Sequence, residues 1–526
     1  MTRVFAEKGD RPHFRKGDCP LFVKAALLLA LAGCGGGGGG GDGAPVTPPP
    51  TVAFTDPLVY SNAQGGSIVD ANENSSVTPG TVTVAGQALS YTATAGHLIA
   101  RRLGTDAPDA TMFYVAYTLN GSNPATRPVT FFYNGGPGSA TVWLHMGSFG
   151  PKRLDAKAPR TDVPVPFPLV DNAESILDLT DLVFVDAVGA GYSTAVAPNT
   201  NRNFWGVDSD AAVFRDFIRR YVSVNNRGAS PKFLFGESYG TTRSAVLARL
   251  MESAGIRLSG VVLQSSVLNY NSNCGLRESG QGCAGFLGTY GAVGAWFQMT
   301  SPPVNVAGLG TFAQELRGLT DNFYGPAIST FFATRAIPDP ANLQVLTNAT
   351  GITVARWQAN FNMGPDTFRQ VLRPGEILGR YDARMSATNV PAGYDISSAF
   401  IDSSFASGLS GYLTNTLRFT TPSSYTTLGN AINFWNFTHD GLSLPDAVPD
   451  LATAMTLNPR LKVLAVSGYH DLATPWFVTE RDLQRLGANP NILVRNYSGG
   501  HMTYLDDATR AAQRADLVEF YRSALQ

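Results

Sequence analysis

The sequence Phe233-Leu234-Phe235-Gly236-Glu237-Ser238-Tyr239-Gly240 determines how the rest of the chain is interpreted. An apolar, strand-like run leads into Gly-x-Ser-x-Gly, and residues 241–253 then place apolar side chains at helical spacing. This order predicts a tight strand-to-helix turn that holds the Ser238 hydroxyl in an active-site cleft. Gly236 and Gly240 flank the turn because side chains there would collide with neighbouring backbone. Ser238 is therefore predicted to be a catalytic nucleophile.

A glycine-rich loop earlier in the chain indicates the same chemistry. Val129–Tyr133 is a continuous apolar run, typical of a buried strand, and it leads into Asn134-Gly135-Gly136-Pro137-Gly138. Consecutive glycines let backbone N–H groups approach a ligand closely, so such a loop can donate to an oxyanion. A third glycine pair, Gly189 and Gly191, fits neither nucleotide-binding fingerprint.

A serine nucleophile needs a base, and the base needs an acid that orients it. In α/β-hydrolases the acid and then the histidine follow the serine along the chain. His501 lies between a predicted terminal strand and the last helix, so it is the predicted base. Asp471 follows a strand that ends at Gly468 and is the predicted acid. The other candidates after Ser238 are Asp440 as a weaker acid, His470 beside the acid, and His439 as a structural residue.

The distribution of strands and helices predicts one large domain with an insertion. Apolar runs at 179–186, 258–262, 461–468 and 491–497 are predicted strands, and 209–222 and 507–525 are predicted helices. Between residues 274 and 424 this alternation is lost, and helix-like segments such as 311–319 and 353–362 are interrupted by Pro and Gly. We predict an α/β-hydrolase fold with a central, mostly parallel sheet flanked by helices. Its core is 52–273 and 425–526, and 274–424 is an inserted, largely helical cap.

The N-terminal residues resemble a bacterial lipoprotein signal. A basic region precedes an apolar run, 21–32, that is too short to span a bilayer. Leu31-Ala32-Gly33-Cys34 resembles the lipoprotein box, which predicts a signal peptide at 1–33 and lipidation of Cys34; an ordinary secretory signal is the alternative. Residues 34–51 are Gly- and Pro-rich, as in a tether. The prediction is a lipid-anchored protein of the bacterial cell envelope, in the periplasm or at the outer membrane.

Composition limits the partners and cofactors. Charged residues make up 15% of the chain and the net charge is −1, so no nucleic-acid partner is expected. Cys274 and Cys283 are nine positions apart in a Gly/Ser/Asn-rich stretch without a nearby His cluster. This favours a disulfide over a zinc site. We predict no metal and no cofactor, and the motifs carry no information on oligomeric state.

Taken together, the motifs resemble those of the serine carboxypeptidase family of α/β-hydrolases. Several short blocks match in the family's order along nearly all of the chain that follows the signal. The blocks are Asn134-Gly-Gly-Pro-Gly138, Phe184-Val-Asp186 with Gly189-x-Gly-Tyr-Ser193, Gly236-Glu-Ser-Tyr-Gly240, Gly468-x-x-Asp471 and Gly500-His501-Met502.

This resemblance implies roles for residues around the triad of Ser238, Asp471 and His501. The N–H groups of Gly136 and Tyr239 would form the oxyanion hole. Asn134, Glu237 and the N–H of Gly135 would hold the terminal carboxylate of a peptide substrate. A carboxylate beside Glu237 is repelled unless one of the two is protonated, which implies activity in acid. The alternative for Glu237 is a structural residue of the turn.

Three positions depart from the family's pattern. Ser139 replaces a usual cysteine, and Asp186-Ala187-Val188 replaces Asp-Gln-Pro. Ser148 stands where the family has a second Glu that shares a proton with the first. This last change makes the pH optimum an open question.

The predicted function is a serine carboxypeptidase, which removes C-terminal residues from peptides through an acyl-enzyme intermediate. Its expected partners are peptides with a free C-terminus and, through Cys34, a membrane. The alternative is an esterase or acyltransferase on the same scaffold, because the fold does not dictate the substrate. A surface protein with an inactive site would be expected to lack a triad residue, and Ser238, Asp471 and His501 are all present.

Overall fold

The central strands form where the sequence has continuous apolar runs. The computed structural model describes residues 49–276, 281–391 and 393–526. Every residue of Val129–Tyr133, Asp181–Val185 and Gly260–Gln264 is buried, because both faces of these strands are covered. The strands are β1 Phe54–Thr55, β2 Ser75–Val84, β3 Gln87–Arg101, β4 Pro108–Leu119, β5 Val129–Tyr133, β6 Lys152–Leu154, β7 Leu169–Asp171, β8 Asp181–Val185, β9 Thr194–Ala195, β10 Lys232–Glu237, β11 Gly260–Gln264, β12 Glu376–Leu378, β13 Ser386–Thr388, β14 Phe419–Thr420, β15 Lys462–Gly468 and β16 Ile492–Tyr497.

One sheet organises the described part of the chain. Ten strands belong to it, in the order β16-β15-β11-β10-β5-β8-β4-β3-β2, with β9 paired to β4. The strands from β16 to β8 run parallel, whereas β4, β3 and β2 continue the sheet in antiparallel pairs. The loops after β5, β10, β15 and β16 therefore leave the same edge of the sheet. The predicted mostly parallel sheet is confirmed.

Helices cover both faces of this sheet. Their bounds are α1 Val142–Gly147, α2 Val207–Val224, α3 Tyr239–Ser253, α4 Leu287–Trp296, α5 Leu309–Leu319, α6 Gly325–Thr334, α7 Pro340–Thr350, α8 Val354–Ala359, α9 Pro365–Val371, α10 Ile396–Asn415, α11 Val448–Leu457, α12 Trp476–Gln484 and α13 Asp507–Ala524. One core cluster joins α2, α3 and α11 to the sheet. The cluster on the opposite face contains residues of α1, α10 and α13. This arrangement is the predicted α/β-hydrolase fold.

Between β11 and β15 the chain leaves the sheet for residues 265–461, which we call the insertion. Its first part has its own core, formed by residues of α4 and α6 to α9 and their connections. The disulfide of Cys274 and Cys283 lies at the start of this part. The helix predicted at 353–362 is shorter, since α8 ends at Ala359.

The later part of the insertion packs against the sheet itself. Ile401, Phe405, Leu409 and Tyr412 of α10 belong to the core cluster that contains α1 and α13. The predicted cap, residues 274–424, lies within the insertion and thus contributes both to separate cores of the insertion and to a core of the sheet.

The predicted signal peptide, Cys34 and the start of the tether lie outside the described residues. In the part of the chain that is described, no helix combines the length and apolar character needed to span a bilayer.

Candidate active site

Ser238 occupies a strained turn between β10 and α3. Its backbone has φ +60° and ψ −128°, in the region of positive φ that L-residues rarely adopt. A Cβ at Gly236 would lie 2.2 Å from the carbonyl oxygen of Gly240, so the turn leaves no room for a side chain there. The sequence pattern therefore forms the predicted strand–turn–helix around the serine.

Asp471 and His501 meet at the ends of β15 and β16. Nδ1 of His501 lies 2.7 Å from Oδ2 of Asp471, and both side chains are buried. The backbone N–H groups of Ala473 and Thr474 donate to Oδ1 of Asp471, and the Thr474 hydroxyl donates to Oδ2 over 2.7 Å. These donors orient the carboxylate toward the imidazole. Thr474 is a contributor that the sequence analysis missed.

Ser238 and His501 line one cavity of about 130 Å³. Burial disfavours the protonated imidazole, but the Asp471 carboxylate outweighs burial and raises the pKa of His501. An imidazole supported in this way can accept the serine proton and then be stabilised as imidazolium.

The glycine-rich loop lies against the N-terminus of α3. A Cβ at Gly135 would be 2.5 Å from the backbone nitrogen of Tyr239, so the loop and the turn are in direct backbone contact. Gly136 has φ +101°, a conformation that favours glycine. Both Gly135 and Gly136 line the cavity that contains Ser238. The N–H groups assigned to an oxyanion hole, those of Gly136 and Tyr239, thus belong to neighbouring segments.

Glu237 is buried beside the nucleophile, and both of its carboxylate oxygens are engaged. The Asn134 amide donates to Oε1 over 2.8 Å, and the Tyr504 hydroxyl donates to Oε2 over 2.5 Å. Burial raises the pKa of Glu237 to about 7, although the charge of His501 and these hydrogen bonds lower it. Glu237 is therefore held by Asn134 and Tyr504 and can be neutral in mildly acidic solution.

The polar side chain that contacts Oε2 of Glu237 is Tyr504. Ser148 does not make this contact, because its hydroxyl donates to the carbonyl oxygen of Leu144. Tyr504 was not predicted from the sequence, and its position three residues after His501 is the one signal for it.

The buried carboxylate of Asp186 makes two hydrogen bonds near the site. The carboxylate of Asp186 accepts hydrogen bonds from the Thr141 N–H, over 2.8 Å, and from the Tyr425 hydroxyl, over 2.9 Å. Burial raises the pKa of Asp186 to about 7. Because Thr141 precedes α1 and Tyr425 follows the predicted cap, Asp186 joins two segments that border the cavity.

The remaining histidine candidates are not at the triad. Nδ1 of His439 lies 2.7 Å from Asp208, and its Nε2 lies 2.9 Å from Asp450, so it joins α2 to α11. Asp440, the weaker candidate acid, lies beside His439 at 3.6 Å. His470 is fully buried, and its ring is edge-on to Trp296. His439 and His470 are thus packed into the structure.

One stretch of the insertion contacts both loops that carry the triad; we call residues 380–384 the bridging segment. The carbonyl oxygen of Arg380 accepts from the Leu472 N–H over 3.0 Å, and that of Tyr381 accepts from the His501 N–H over 2.6 Å. The Ala383 N–H donates to the carbonyl oxygen of His470 over 3.1 Å. The insertion therefore helps to hold Asp471 and His501 in place. No sequence motif indicated this contact.

Apolar side chains form much of the lining of this cavity. They come from α1, from the insertion and from the loop after His501, and include Trp143, Ile401, Leu428, Ile432 and Met502. Pockets of this kind combine an apolar lining with a few polar groups that fix the orientation of a ligand.

Comparison with known sequences confirms the resemblance to serine carboxypeptidases. Residues 84–275 match the sequence model of this family. Serine carboxypeptidase-like 16 from Arabidopsis thaliana is 24% identical over 181 residues, which are 32% of this chain and 40% of that protein. The chain therefore spans about two fifths of the length of this curated relative.

Solved structures that resemble the chain include several hydrolases. A proline iminopeptidase from Mycobacterium smegmatis is 14% identical, with a TM-score of 0.32, over 85% of this chain and 99% of that one. A thermostable carboxyl esterase from Bacillus coagulans is 12% identical, with a TM-score of 0.35, over 82% of this chain and 99% of that one.

Proposed function

We propose that this α/β-hydrolase, whose residues 84–275 match the serine carboxypeptidase family, removes C-terminal residues from peptides. The observation that carries the proposal is the position of Glu237. Its carboxyl group, with Asn134 and Gly135, lines the same cavity as Ser238 and His501. A group that binds a terminal carboxylate beside the nucleophile would restrict cleavage to the last peptide bond.

The proposed reaction uses the triad in two steps. Ser238 Oγ attacks the carbonyl carbon of the last peptide bond while His501 takes the hydroxyl proton. The N–H groups of Gly136 and Tyr239 stabilise the negative charge that develops on the carbonyl oxygen. The intermediate collapses as His501 gives its proton to the leaving amine, which departs as the released residue. Water, deprotonated by His501, then hydrolyses the acyl-enzyme and frees Ser238.

The pKa of Glu237 makes the proposed carboxylate binding feasible. A neutral Glu237 does not repel the substrate's carboxylate and can donate one hydrogen bond to it. Because the pKa of Glu237 is about 7, the neutral form dominates below that pH. An ester or amide without a terminal carboxylate would not depend on this group.

The test compares three substrates on one protein. A blocked dipeptide with a free C-terminus, its C-terminally amidated form and a simple acyl ester are assayed from pH 4 to 8, with Ser238→Ala as the blank. The proposal expects the free-acid peptide to be cleaved much faster than its amide, and Ser238→Ala to lose all of this activity. Turnover of the ester alone would instead support the esterase alternative.

We also propose that Cys34 is lipidated and anchors the chain in the bacterial envelope. The support is the Leu31-Ala32-Gly33-Cys34 sequence followed by glycines. Labelling with a radioactive fatty acid in a bacterial host tests it, with Cys34→Ser as the control. An unlabelled wild-type protein, or equal labelling of Cys34→Ser, would contradict the proposal.

A further inference from the structure

A second cavity adjoins the cavity of Ser238. It has a volume of about 490 Å³, and Arg380 is among its lining residues. Tyr381 and Ser398 line both cavities, so Arg380 lies in a cavity that neighbours the one with Ser238. The hydrogen bond between the Arg380 carbonyl oxygen and the Leu472 N–H fixes this residue next to Asp471.

The other charged groups in this second cavity have structural partners. Arg369 donates to the carbonyl oxygens of Leu378 and Tyr394, and Asp366 lies 3.4 Å from it. Asp395 caps α10 by accepting from the Ser397 N–H, and it also accepts from the Arg380 N–H over 3.1 Å. Both Asp366 and Asp395 therefore lie within reach of the Arg369 guanidinium, at 3.4 and 3.9 Å.

Arg380 differs from Arg369 because its side chain is left open to a ligand. Within the described residues, its guanidinium makes a cation–π contact, 5.9 Å from the centre of the Tyr381 ring, but no hydrogen bond or ion pair. Its charge reaches the triad, since it opposes the rise in the pKa of His501. A planar cation with unused donors is well suited to bind a carboxylate through two parallel hydrogen bonds.

We propose that Arg380 forms a subsite for an acidic side chain of the substrate, so that peptides with Asp or Glu beside the scissile bond are preferred. This inference rests on the proposed function, because it assigns a specificity to the same peptide substrate. Asn134 and Glu237 take the terminal carboxylate, and Arg380 takes the carboxylate of the side chain. The apolar wall of the catalytic cavity then faces the other side chain.

The first experiment measures kcat/KM for matched blocked dipeptides with Glu or Gln at either position of the scissile bond. At one of these positions the wild type is expected to prefer Glu by at least about tenfold, as is typical of a hydrogen-bonded charged group. Arg380→Met should bring this Glu-to-Gln ratio close to one, and Arg380→Lys should restore part of it. Both peptides are compared at the same pH, because loss of the Arg380 charge also raises the pKa of His501. Arg373→Met is the matched control, because Arg373 lies on the same part of the insertion and pairs with Glu376.

Two outcomes would overturn the proposal. One is a wild type that shows no preference for Glu over Gln at either position. The other is an unchanged Glu-to-Gln ratio in Arg380→Met; if both peptides lose activity equally, Arg380 is assigned to the terminal carboxylate or to the shape of the site. A second measurement uses calorimetry. It compares the dissociation constants of the Glu and Gln peptides for Ser238→Ala with those for the double variant Ser238→Ala/Arg380→Met. If the wild type cleaves no peptide, the proposed function fails, but this binding comparison still decides the role of Arg380.

Discussion

At the scale of single residues, Glu237 controls how the proposed activity depends on pH. Activity on a free-acid peptide should fall in acid as His501, whose pKa is raised, becomes protonated. It should also fall above about pH 7, because Glu237 ionises there and repels the substrate's carboxylate. We expect a profile of kcat/KM that peaks near neutral pH for the free acid and lacks the alkaline fall for an ester.

Glu237→Gln provides the control for this prediction. Gln cannot ionise, so the alkaline fall should disappear for the free-acid peptide while the acid limb of His501 remains. An alkaline fall that persists in Glu237→Gln would show that another group causes it.

Tyr504 gives a second prediction about the same carboxyl group. Its hydroxyl donates to Oε2 of Glu237, which favours the ionised form. Tyr504→Phe removes this donor, so the pKa of Glu237 should rise and the alkaline fall should move to higher pH. The measurement is the kcat/KM profile of the free-acid peptide, with the ester as the control substrate. A shift to lower pH would contradict this interpretation.

The placement of Ser238, Asp471 and His501 was predictable from sequence, whereas the residues that support them were not. Ser238, Asp471 and His501 each follow a predicted strand, and their order along the chain is the one expected for an α/β-hydrolase. Tyr504 contacts Glu237, which is distant in sequence, and Thr474 contacts Asp471 within a loop that has no regular pattern. Such contacts depend on how the loops fold, which single-residue patterns do not encode.

At the scale of elements, a buried ion pair joins α2, α3 and the glycine-rich loop. Arg243 of α3 lies 2.7 Å from Asp210 of α2, and it donates to the carbonyl oxygen of Asn134 over 2.8 Å. The Arg243 side chain is fully buried, with its guanidinium 4.3 Å from the centre of the Phe214 ring. The loop with Gly136 is therefore fixed to the helix that begins at the nucleophile.

Replacing Arg243 should destabilise the protein strongly. Arg243→Met leaves Asp210 buried without its partner, which typically costs about 3–5 kcal/mol in the free energy of unfolding. Urea unfolding followed by circular dichroism measures this change. Arg481→Met is the control, because Arg481 and its partner Asp321 are 44% and 50% exposed, and such pairs contribute about 1 kcal/mol or less. Similar losses in the two variants would contradict the prediction.

Helix α10 shows why part of the insertion escaped prediction. Its buried residues recur at helical spacing, at Ile401, Phe405, Leu409 and Leu413. Between them stand serines and glycines, which in a sequence indicate loops. Gly408 is required for packing, since a Cβ there would be 2.8 Å from the Leu154 side chain. The close approach of α10 to Leu154 of β6 thus accounts for one of the residues that hide the helical pattern.

At the scale of the whole molecule, the first strand joins the start of the chain to the end of the predicted cap. β1 pairs with β14, and Val52 pairs with Val77 of β2. The Tyr60 ring stacks on buried His97 with centroids 4.4 Å apart, and the Tyr60 hydroxyl donates to Asp56 over 2.6 Å. These contacts make residues 52–60 part of the folded body.

Truncation tests this conclusion. The reference is a chain that begins at Thr51, which keeps the β1 pairing and the contacts of Tyr60. A chain that begins at Gln64 loses the β1 pairing and uncovers His97, so it should lose about 3 kcal/mol or more, as expected for a broken buried network. Thermal and urea unfolding measure both. Equal midpoints for the two truncated chains would contradict the prediction.

The class of the whole fold was predictable because strands that are buried on both faces appear in the sequence as continuous, largely apolar runs. β5, β8 and β11 are continuous apolar runs, and β5 was predicted with its observed bounds. The order of the strands in the sheet, with β8 between β5 and β4, has no such signal. It follows from pairing between distant segments, which a single sequence does not reveal.

The bridging segment limits which parts of this chain can be exchanged with those of other hydrolases in a chimera. A chimera that exchanged residues 274–424 as a removable lid would also exchange the carbonyl groups of Arg380 and Tyr381, which hold the loops of Asp471 and His501. Substrate range and catalytic competence would then change together. A functional graft must therefore inherit residues 380–384 from the same parent as residues 470–472 and 498–501.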